Sequence, residues 1–216
     1  MYKYILFDLD GTLTDPGLGI TNAVIHALKK FDIEEPDRSE LYKFIGPPLL
    51  ESFQKYYEMS EEESKLALQY YREYFKPYGL YENNVYDGIE ELLSELKLKG
   101  KKLFLATSKP ETFAIEILRH FELDKYFDFV GGATMDEKRV KKAEVISYVL
   151  SSCGITDLAA TIMIGDREHD ALGAKEAGLE CIGVLYGYGD RAELEKAGAA
   201  YIAENANDLL KIILNH

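Results

Sequence analysis

The chain has 216 residues, of which 47% are hydrophobic and 29% are charged. These values are typical of a globular protein with one large domain, or one domain that carries a smaller insertion. The formal net charge of −13 argues against nucleic acid as a partner, because the phosphate backbone selects basic surfaces.

The composition also indicates where the protein works and what it does not bind. Cys153 and Cys181 lack CxxC spacing, which favours two buried free thiols in a reducing compartment. No apolar run approaches the length of a membrane span, and the first residues do not follow a signal-peptide pattern. We expect a cytoplasmic protein with no membrane partner, and the sequence leaves open whether it is a monomer or a homodimer.

The first predicted element is a buried strand over residues 4–7, followed at once by Asp8-Leu9-Asp10-Gly11-Thr12. Alternate side chains of an extended chain lie on the same side, so Asp8 and Asp10 point toward a common space. Two like charges held that close repel each other. A divalent cation, or a role in which one acid carries a proton, would account for the pair. The alternative is a strand end whose acids only cap turns.

The next part of the chain, residues 16–82, is predicted to be helical, with no strand pattern. A Pro-Gly-Leu-Gly segment at 16–19 breaks regularity before it. A capping box begins at Ser60, where Glu63 follows three residues later. The predicted helices cover residues 20–32, 39–45, 49–57 and 60–75.

From residue 85 onward, helices alternate with short, continuously apolar strands. This alternation predicts a doubly wound parallel sheet covered on both faces, which is an α/β fold. We therefore expect an α/β core formed by residues 1–15 and 83–216, with residues 16–82 inserted as an all-α cap. Pro110 is expected in the first turn of a helix. The predicted strands cover residues 102–108, 129–132, 160–166, 181–185 and 201–203.

Right-handed crossovers bring the C-terminal ends of parallel strands to one edge of the sheet, where ligands bind. Polar residues converge on that edge, and this convergence is the strongest functional indication that the residues give by themselves. They are Asp8, Asp10, Thr107, Ser108, Asp166 and the loop at 187–190.

Asp166 ends a strand, and Asp170, four residues later, can face the same space from the first turn of a helix. Carboxylate oxygens with room for water suit Mg²⁺. His169 is interpreted as a solvated helix residue and not as a ligand.

Two further positions could bind an anion. Thr107 and Ser108 lie at a helix N-terminus, where a hydroxyl and free backbone N–H groups form an anion site, although a plain helix cap explains them equally well. Lys141 and Lys142 begin a later helix, where positive charge opposes the helix dipole. One of them could hold phosphate, and a solvated surface pair is the alternative.

Four segments, in order, resemble the motifs of the haloacid dehalogenase superfamily of aspartate-nucleophile phosphatases. They span almost the whole chain, and the helical insertion resembles that superfamily's small α-helical cap. The segments are Asp8-Leu9-Asp10-Gly11-Thr12-Leu13, Thr107 after its strand, Lys142, and Gly165-Asp166 with Asp170.

The resemblance implies phosphoryl transfer to the carboxylate of Asp8, with Asp10 as the proton donor and acceptor. It implies that Thr107 and Lys142 hold the phosphoryl oxygens. The backbone amides of Leu9 and Ser108 assist them. It also implies Mg²⁺ as the cofactor, and the implied ligands are Asp8, the backbone carbonyl of Asp10, Asp166 and Asp170.

Segments 14–20, 46–49 and 184–189 are similar to the phosphoglycolate phosphatase branch. Asp10 argues against dehalogenases, and the absence of a His soon after the first motif argues against sugar phosphate mutases. Lys142 is followed by Ala143 where the family usually has Pro, so Lys141 competes with it. The segment at 85–88 also lacks a Pro often seen there.

The predicted function is Mg²⁺-dependent hydrolysis of a small phosphorylated metabolite, with phosphoglycolate as the named substrate. Hydrolysis of 5′-nucleotides, pyrophosphate or sugar phosphates is the alternative within the same fold. A non-catalytic sensor of phosphorylated metabolites is an alternative from another class, which the intact set of acids disfavours.

Overall fold

The structure is a computed structural model that describes all residues, Met1–His216. The chain forms two compact units, one made of Met1–Thr14 with Val85–His216 and the other of Asp15–Asn84. The division assigns Asp15 and residues 83–84 to the second unit. The first unit is α/β, and helices dominate the second.

The α/β unit contains one sheet of six parallel strands in the order β5-β4-β1-β6-β7-β8. This order confirms the predicted doubly wound parallel sheet, with β5 and β8 at its edges. Strands β2 and β3 have two residues each and lie where the chain passes between the units. The strands are β1 (Tyr4–Phe7), β2 (Thr14–Asp15), β3 (Asn84–Val85), β4 (Lys102–Pro110), β5 (Phe129–Ala133), β6 (Thr161–Gly165), β7 (Glu180–Val184) and β8 (Tyr201–Ala203).

Nine α-helices complete the two units, and none is long and apolar enough to cross a bilayer. They are α1 (Gly17–Lys29), α2 (Leu49–Tyr57), α3 (Glu61–Tyr74), α4 (Ile89–Leu98), α5 (Glu111–His120), α6 (Lys142–Ser152), α7 (Glu168–Glu176), α8 (Arg191–Ala197) and α9 (Ala206–Asn215).

Two local predictions were wrong in detail. The segment expected as a helix at 39–45 is a 3₁₀ helix, Arg38–Phe44, which begins after the Asp37 cap. Pro110 is the last residue of β4 and precedes α5, where it was expected to lie in the first turn. Its ψ of 128° is extended, because β4 continues past an irregularity after Thr107 and pairs Pro110 with Ala133 of β5.

The central strand β1 determines where the polar edge lies. Ile5, Leu6 and Phe7 have no exposed surface, as expected for a strand covered on both faces. Phe7 is in register with Leu105 of β4 and Ile164 of β6. The residue after β1 therefore emerges between β4, which continues to Pro110, and β6, which ends at Gly165.

The helical unit has its own aromatic core and its own helix caps. The rings of Phe44 and Phe53 meet edge to face with centroids 5.1 Å apart. The predicted capping box at the start of α3 is present: the Glu63 amide donates to Ser60 Oγ at 3.3 Å, and the Ser60 amide donates to a Glu63 carboxylate oxygen at 2.9 Å.

We predict that Ser60→Ala lowers the free energy of unfolding of the helical unit by about 1 kcal/mol, because the Glu63 amide loses its partner. Urea denaturation followed by circular dichroism measures the change. Ser151→Ala is the control, since the exposed Ser151 hydroxyl only donates to a carbonyl within α6. Equal effects of the two substitutions would contradict the role of the cap.

Candidate active site

The end of β1 presents two buried carboxylates. Asp8 is 4% exposed and Asp10 is 8% exposed. Asp8 Oδ1 accepts a hydrogen bond of 2.7 Å from the Leu9 amide. The Asp8 amide donates to the carbonyl of Ile164 at 2.9 Å, which ties this turn to β6. The Leu9 amide, a predicted phosphate contact, is thus engaged with Asp8.

Lys142 lies between two carboxylates. Its Nζ is 2.9 Å from Asp8 Oδ1 and 2.8 Å from Asp170 Oδ1, and it donates to the carbonyl of Ala106 at 3.1 Å. Burial alone would lower the pKa of Lys142, but the charges of Asp170 and Asp8 outweigh it and raise that pKa. Lys141, the competing lysine, is exposed. Lys142 is therefore the lysine that joins the site.

Three carboxylates meet beside Lys142. Asp8, Asp166 and Asp170 each offer an oxygen, and these atoms lie within 4.8 Å of one another. Burial raises the pKa of Asp166 well above its usual range, and the charge of Asp170 adds to the effect. Burial likewise raises the pKa of Asp170, and this increase exceeds the opposing effect of Lys142. The cluster has more negative charge than the protein itself balances.

The cluster fits Mg²⁺. Its donors are hard carboxylate oxygens from the turn after β1 and from the turn between β6 and α7, and the excess negative charge calls for a cation. His169 is not among the clustered ligands. It is half-buried, and burial lowers its pKa, so the expectation of a solvated residue was wrong. The residues that could hold Mg²⁺ are those predicted, Asp8, Asp166, Asp170 and the carbonyl of Asp10.

Asp166 is also contacted by the loop after β7 and by the turn after β1. Its Oδ2 accepts from the Tyr188 amide at 2.8 Å, and its Oδ1 accepts weakly from Thr12 Oγ1 at 3.4 Å. Gly11 has a φ of 81°, and a Cβ there would lie 2.1 Å from Asp166 Oδ2. A Cβ on Gly187 would lie 2.3 Å from the Gly11 carbonyl. The sequence placed this loop at the edge but indicated no role for it.

The start of α7 is tied to α8 by a residue that the sequence patterns did not single out. Glu193 Oε1 accepts from Arg167 Nε and from the Glu168 amide, both at 2.8 Å. Asp170 Oδ2 in turn accepts from the Arg167 amide at 3.1 Å. These bonds fix the turn that carries Asp166 and Asp170.

The end of β4 brings Thr107, Ser108 and Lys109 to the same edge. Thr107 is 1% exposed, Ser108 is half-buried, and Thr107 Oγ1 accepts from the Lys109 amide at 3.2 Å. Lys109 Nζ donates to Asp10 Oδ2 at 2.6 Å. Lys109 was missed as a site residue. The pairing of β4 with β5 is irregular between Thr107 and Pro110, so regular strand alternation could not have indicated it.

Comparison with known proteins identifies the family. A family model described as "Haloacid dehalogenase-like hydrolase" matches residues 5–184. The chain belongs to this family. The match confirms the predicted superfamily, and its hydrolase chemistry agrees with the cluster of acids and Lys142 at the sheet edge.

Individual relatives of this haloacid dehalogenase-like hydrolase have several names. A 5′-nucleotidase of Pseudomonas aeruginosa is 46% identical over 215 residues, covering 100% of this chain and 97% of that protein. The tyrosine-protein kinase PtkA of Mycobacterium tuberculosis is 34% identical over 94% of this chain and 69% of that protein.

Among solved structures, "a predicted phosphatase from Clostridium acetobutylicum" is 51% identical, with a TM-score of 0.98 and complete coverage of both chains. The family match and these full-length similarities make the chain a haloacid dehalogenase-like phosphatase.

We predict that Lys142→Ala lowers kcat/KM for p-nitrophenyl phosphate by at least about 100-fold, because it removes the cation between two buried acids. Lys141→Ala, the matched control one residue away, should change it less than about twofold, as expected for an exposed side chain. Steady-state kinetics measure both. A larger loss of kcat/KM for Lys141→Ala than for Lys142→Ala would show that Lys141 is the lysine of the site.

We predict that Gly187→Ala weakens Mg²⁺ binding about 10- to 100-fold, because the added methyl displaces the loop that supports Asp166. Isothermal titration of the protein with Mg²⁺ measures this. Gly198→Ala is the control: its φ of 97° makes Ala strained, but nothing lies within 4 Å of the added Cβ. A similar loss of Mg²⁺ affinity in both variants would show that general destabilisation, and not the support of Asp166, is responsible.

Proposed function

We propose that the protein hydrolyses a small phosphomonoester with Mg²⁺ as cofactor, through an aspartyl-phosphate formed on Asp8. The observation that carries this proposal is the buried cluster in which the Asp8 carboxylate lies 2.9 Å from Lys142 Nζ and shares its space with Asp166 and Asp170. A nucleophilic carboxylate beside a fixed cation and excess acids is suited to phosphoryl transfer.

In the first step, an oxygen of Asp8 forms a bond to phosphorus while the bond from phosphorus to the leaving oxygen breaks. Asp10 gives a proton to that oxygen, so the product leaves as an alcohol. Burial raises the pKa of Asp10, although the charge of Lys109 opposes the shift. A raised pKa favours the protonated acid that this step needs.

In the second step, water attacks phosphorus, and Asp10 accepts its proton. The acyl-phosphate bond breaks, inorganic phosphate leaves, and the carboxylate of Asp8 is restored. Asp10 Oδ1 suits both proton transfers, because it is buried and has no hydrogen-bond partner.

The phosphoryl oxygens are held, in this proposal, by the Thr107 hydroxyl, the Ser108 amide and Lys142. The Leu9 amide would join them by exchanging its bond to Asp8. Asp8, Asp166, Asp170 and the Asp10 carbonyl would hold Mg²⁺. When bound, Mg²⁺ supplies positive charge that offsets the repulsion between the phosphoryl group and these carboxylates.

Two substrate classes are each favoured by a specific observation. The full-length similarity to a 5′-nucleotidase favours a 5′-nucleotide. The segments at 14–20, 46–49 and 184–189 resemble the phosphoglycolate phosphatase branch and favour phosphoglycolate. We assign the choice to the helical insert, residues 16–82, acting as a cap.

The two free cysteines support a reducing, cytoplasmic location.

We predict that Asp8→Asn lowers phosphate release by at least about 1,000-fold, because an amide cannot act as the nucleophile. Mass spectrometry of acid-quenched wild-type enzyme should find the phosphoryl group on the peptide that contains Asp8. Asp124→Asn, a change at an exposed acid in a 3₁₀ turn, is the control. Turnover by Asp8→Asn equal to that of the control would refute the mechanism.

Substrate choice is tested with a phosphate-release panel of AMP, phosphoglycolate, pyrophosphate and glucose 6-phosphate, each with Mg²⁺ and with EDTA. We expect release only with Mg²⁺, with AMP or phosphoglycolate as the best substrate. Because one relative is named a tyrosine-protein kinase, transfer of a phosphoryl group from ATP to a tyrosine peptide is assayed in parallel. The absence of turnover on every compound, including p-nitrophenyl phosphate, would favour the non-catalytic sensor.

A further inference from the structure

Lys109 is a buried cation at the end of β4 that none of the four family-like motifs contains. The side chain of Lys109 is 5% exposed and that of Asp10 is 11% exposed. Lys109 Nζ lies 2.6 Å from Asp10 Oδ2. Removing an ammonium group and a carboxylate from water costs free energy, which only close and well-aligned contact offsets. The position of Lys109 therefore needs a reason beyond surface charge.

Local contacts hold the backbone that carries Lys109, although the pairing of β4 with β5 is irregular between Thr107 and Pro110. The Lys109 amide donates to Thr107 Oγ1 at 3.2 Å. A Cβ on Gly132 of β5 would lie 2.8 Å from the Lys109 carbonyl, so the two strands approach closely there. Asp10 follows the end of β1 in a turn where it bridges Thr14 and the Gly11 amide donates to the Thr14 carbonyl at 2.8 Å. Backbone contacts therefore hold the chain at both ends of the ion pair.

The two oxygens of Asp10 are in different environments. Oδ2 is bound to the Lys109 ammonium, whereas Oδ1 is buried without a hydrogen-bond partner. Buried polar atoms in folded proteins are nearly always paired, so an unpaired one is typical of a functional position. The ion pair leaves one oxygen of Asp10 available and restricts rotation of the carboxylate.

We propose that Lys109 is a positioning residue that holds the Asp10 carboxylate in place for proton transfer through Oδ1. The proposal rests on the proposed function, in which Asp10 protonates the leaving oxygen. It goes beyond that function because it gives a task to a residue outside the motifs. Lys109 acts through Asp10, while Lys142 provides the cation beside Asp8.

The test uses two substrates of similar size that differ in their need for a proton. p-Nitrophenolate leaves readily without one, whereas the alkoxide of benzyl phosphate must be protonated. Because kcat/KM reports the steps up to release of the alcohol, we expect Lys109→Met to lower it about 100-fold for benzyl phosphate and less than about tenfold for p-nitrophenyl phosphate.

Lys101→Met is the matched control. Lys101 is 7% exposed, compared with 8% for Lys109. It lies beside the opposite end of β4, where its Nζ donates to the Tyr2 carbonyl at 2.5 Å. We expect this change to affect stability and to leave the ratio of the two kcat/KM values unchanged. Lys109→Gln, which keeps an N–H donor, should bring the ratio of the two kcat/KM values partly back to that of the wild type. It serves as the readout if Lys109→Met does not fold.

Asp10→Asn separates this inference from the proposed function. We expect it to lower kcat/KM for benzyl phosphate strongly. When Lys109→Met is added to Asp10→Asn, we expect the ratio of the two kcat/KM values to stay unchanged. If Asp10→Asn keeps full activity on benzyl phosphate, the proposed proton role of Asp10 fails. A different outcome is that Asp10→Asn is impaired while Lys109→Met lowers kcat/KM equally for both substrates, or only raises KM. In that case the positioning role is overturned while the proposed function stands.

Discussion

Charge balance at one edge of the sheet is the constraint on which the rest of the structure depends. Asp8, Asp10, Asp166 and Asp170 are all buried. Lys142 contacts Asp8 and Asp170, while Lys109 contacts Asp10. Four carboxylates with two ammonium groups leave excess negative charge in a region that water screens poorly. A bound cation would neutralise that excess and would then help to stabilise the fold as well as the reaction.

The parallel sheet makes this concentration of charge possible. Its central strand β1 is apolar on both faces and pairs with β4 and β6. Asp8 and Asp166 directly follow β1 and β6, while Lys142 and Asp170 lie in the first turns of α6 and α7. Glycines bring the surrounding turns close: a Cβ on Gly173 would lie 2.7 Å from Lys142 Cγ, and one on Gly189 would lie 1.9 Å from the Asp166 carbonyl. The backbone at these glycines therefore lies close to Lys142 and Asp166.

The chemistry and the substrate depend on different parts of the chain. The family match and the acids at the sheet edge account for hydrolysis of a phosphate ester. Substrate choice is a separate property, as relatives of this chain have different names. One fold hosts many activities, because function depends on the residues of the site and not on the fold. The helical insert, residues 16–82, has its own core around Phe44 and Phe53, and we propose that it chooses the substrate.

The sequence by itself determined the order of strands and helices, the helical insertion, and the roles suggested for Asp8, Asp10, Asp166 and Asp170. The order, the insertion and the meeting of the acids at one edge follow from local patterns, namely apolar strands, helix spacing and acids directly after strand ends. The roles suggested for the four acids follow from the resemblance to the family motifs. Only the tertiary structure decided that Lys142, and not Lys141, joins the acids, and that Lys109 contacts Asp10, a residue 99 positions away. Local pattern also could not give the Tyr188 amide that holds Asp166. Which side chain is buried, and against what, depends on how distant segments pack, and no local periodicity records that.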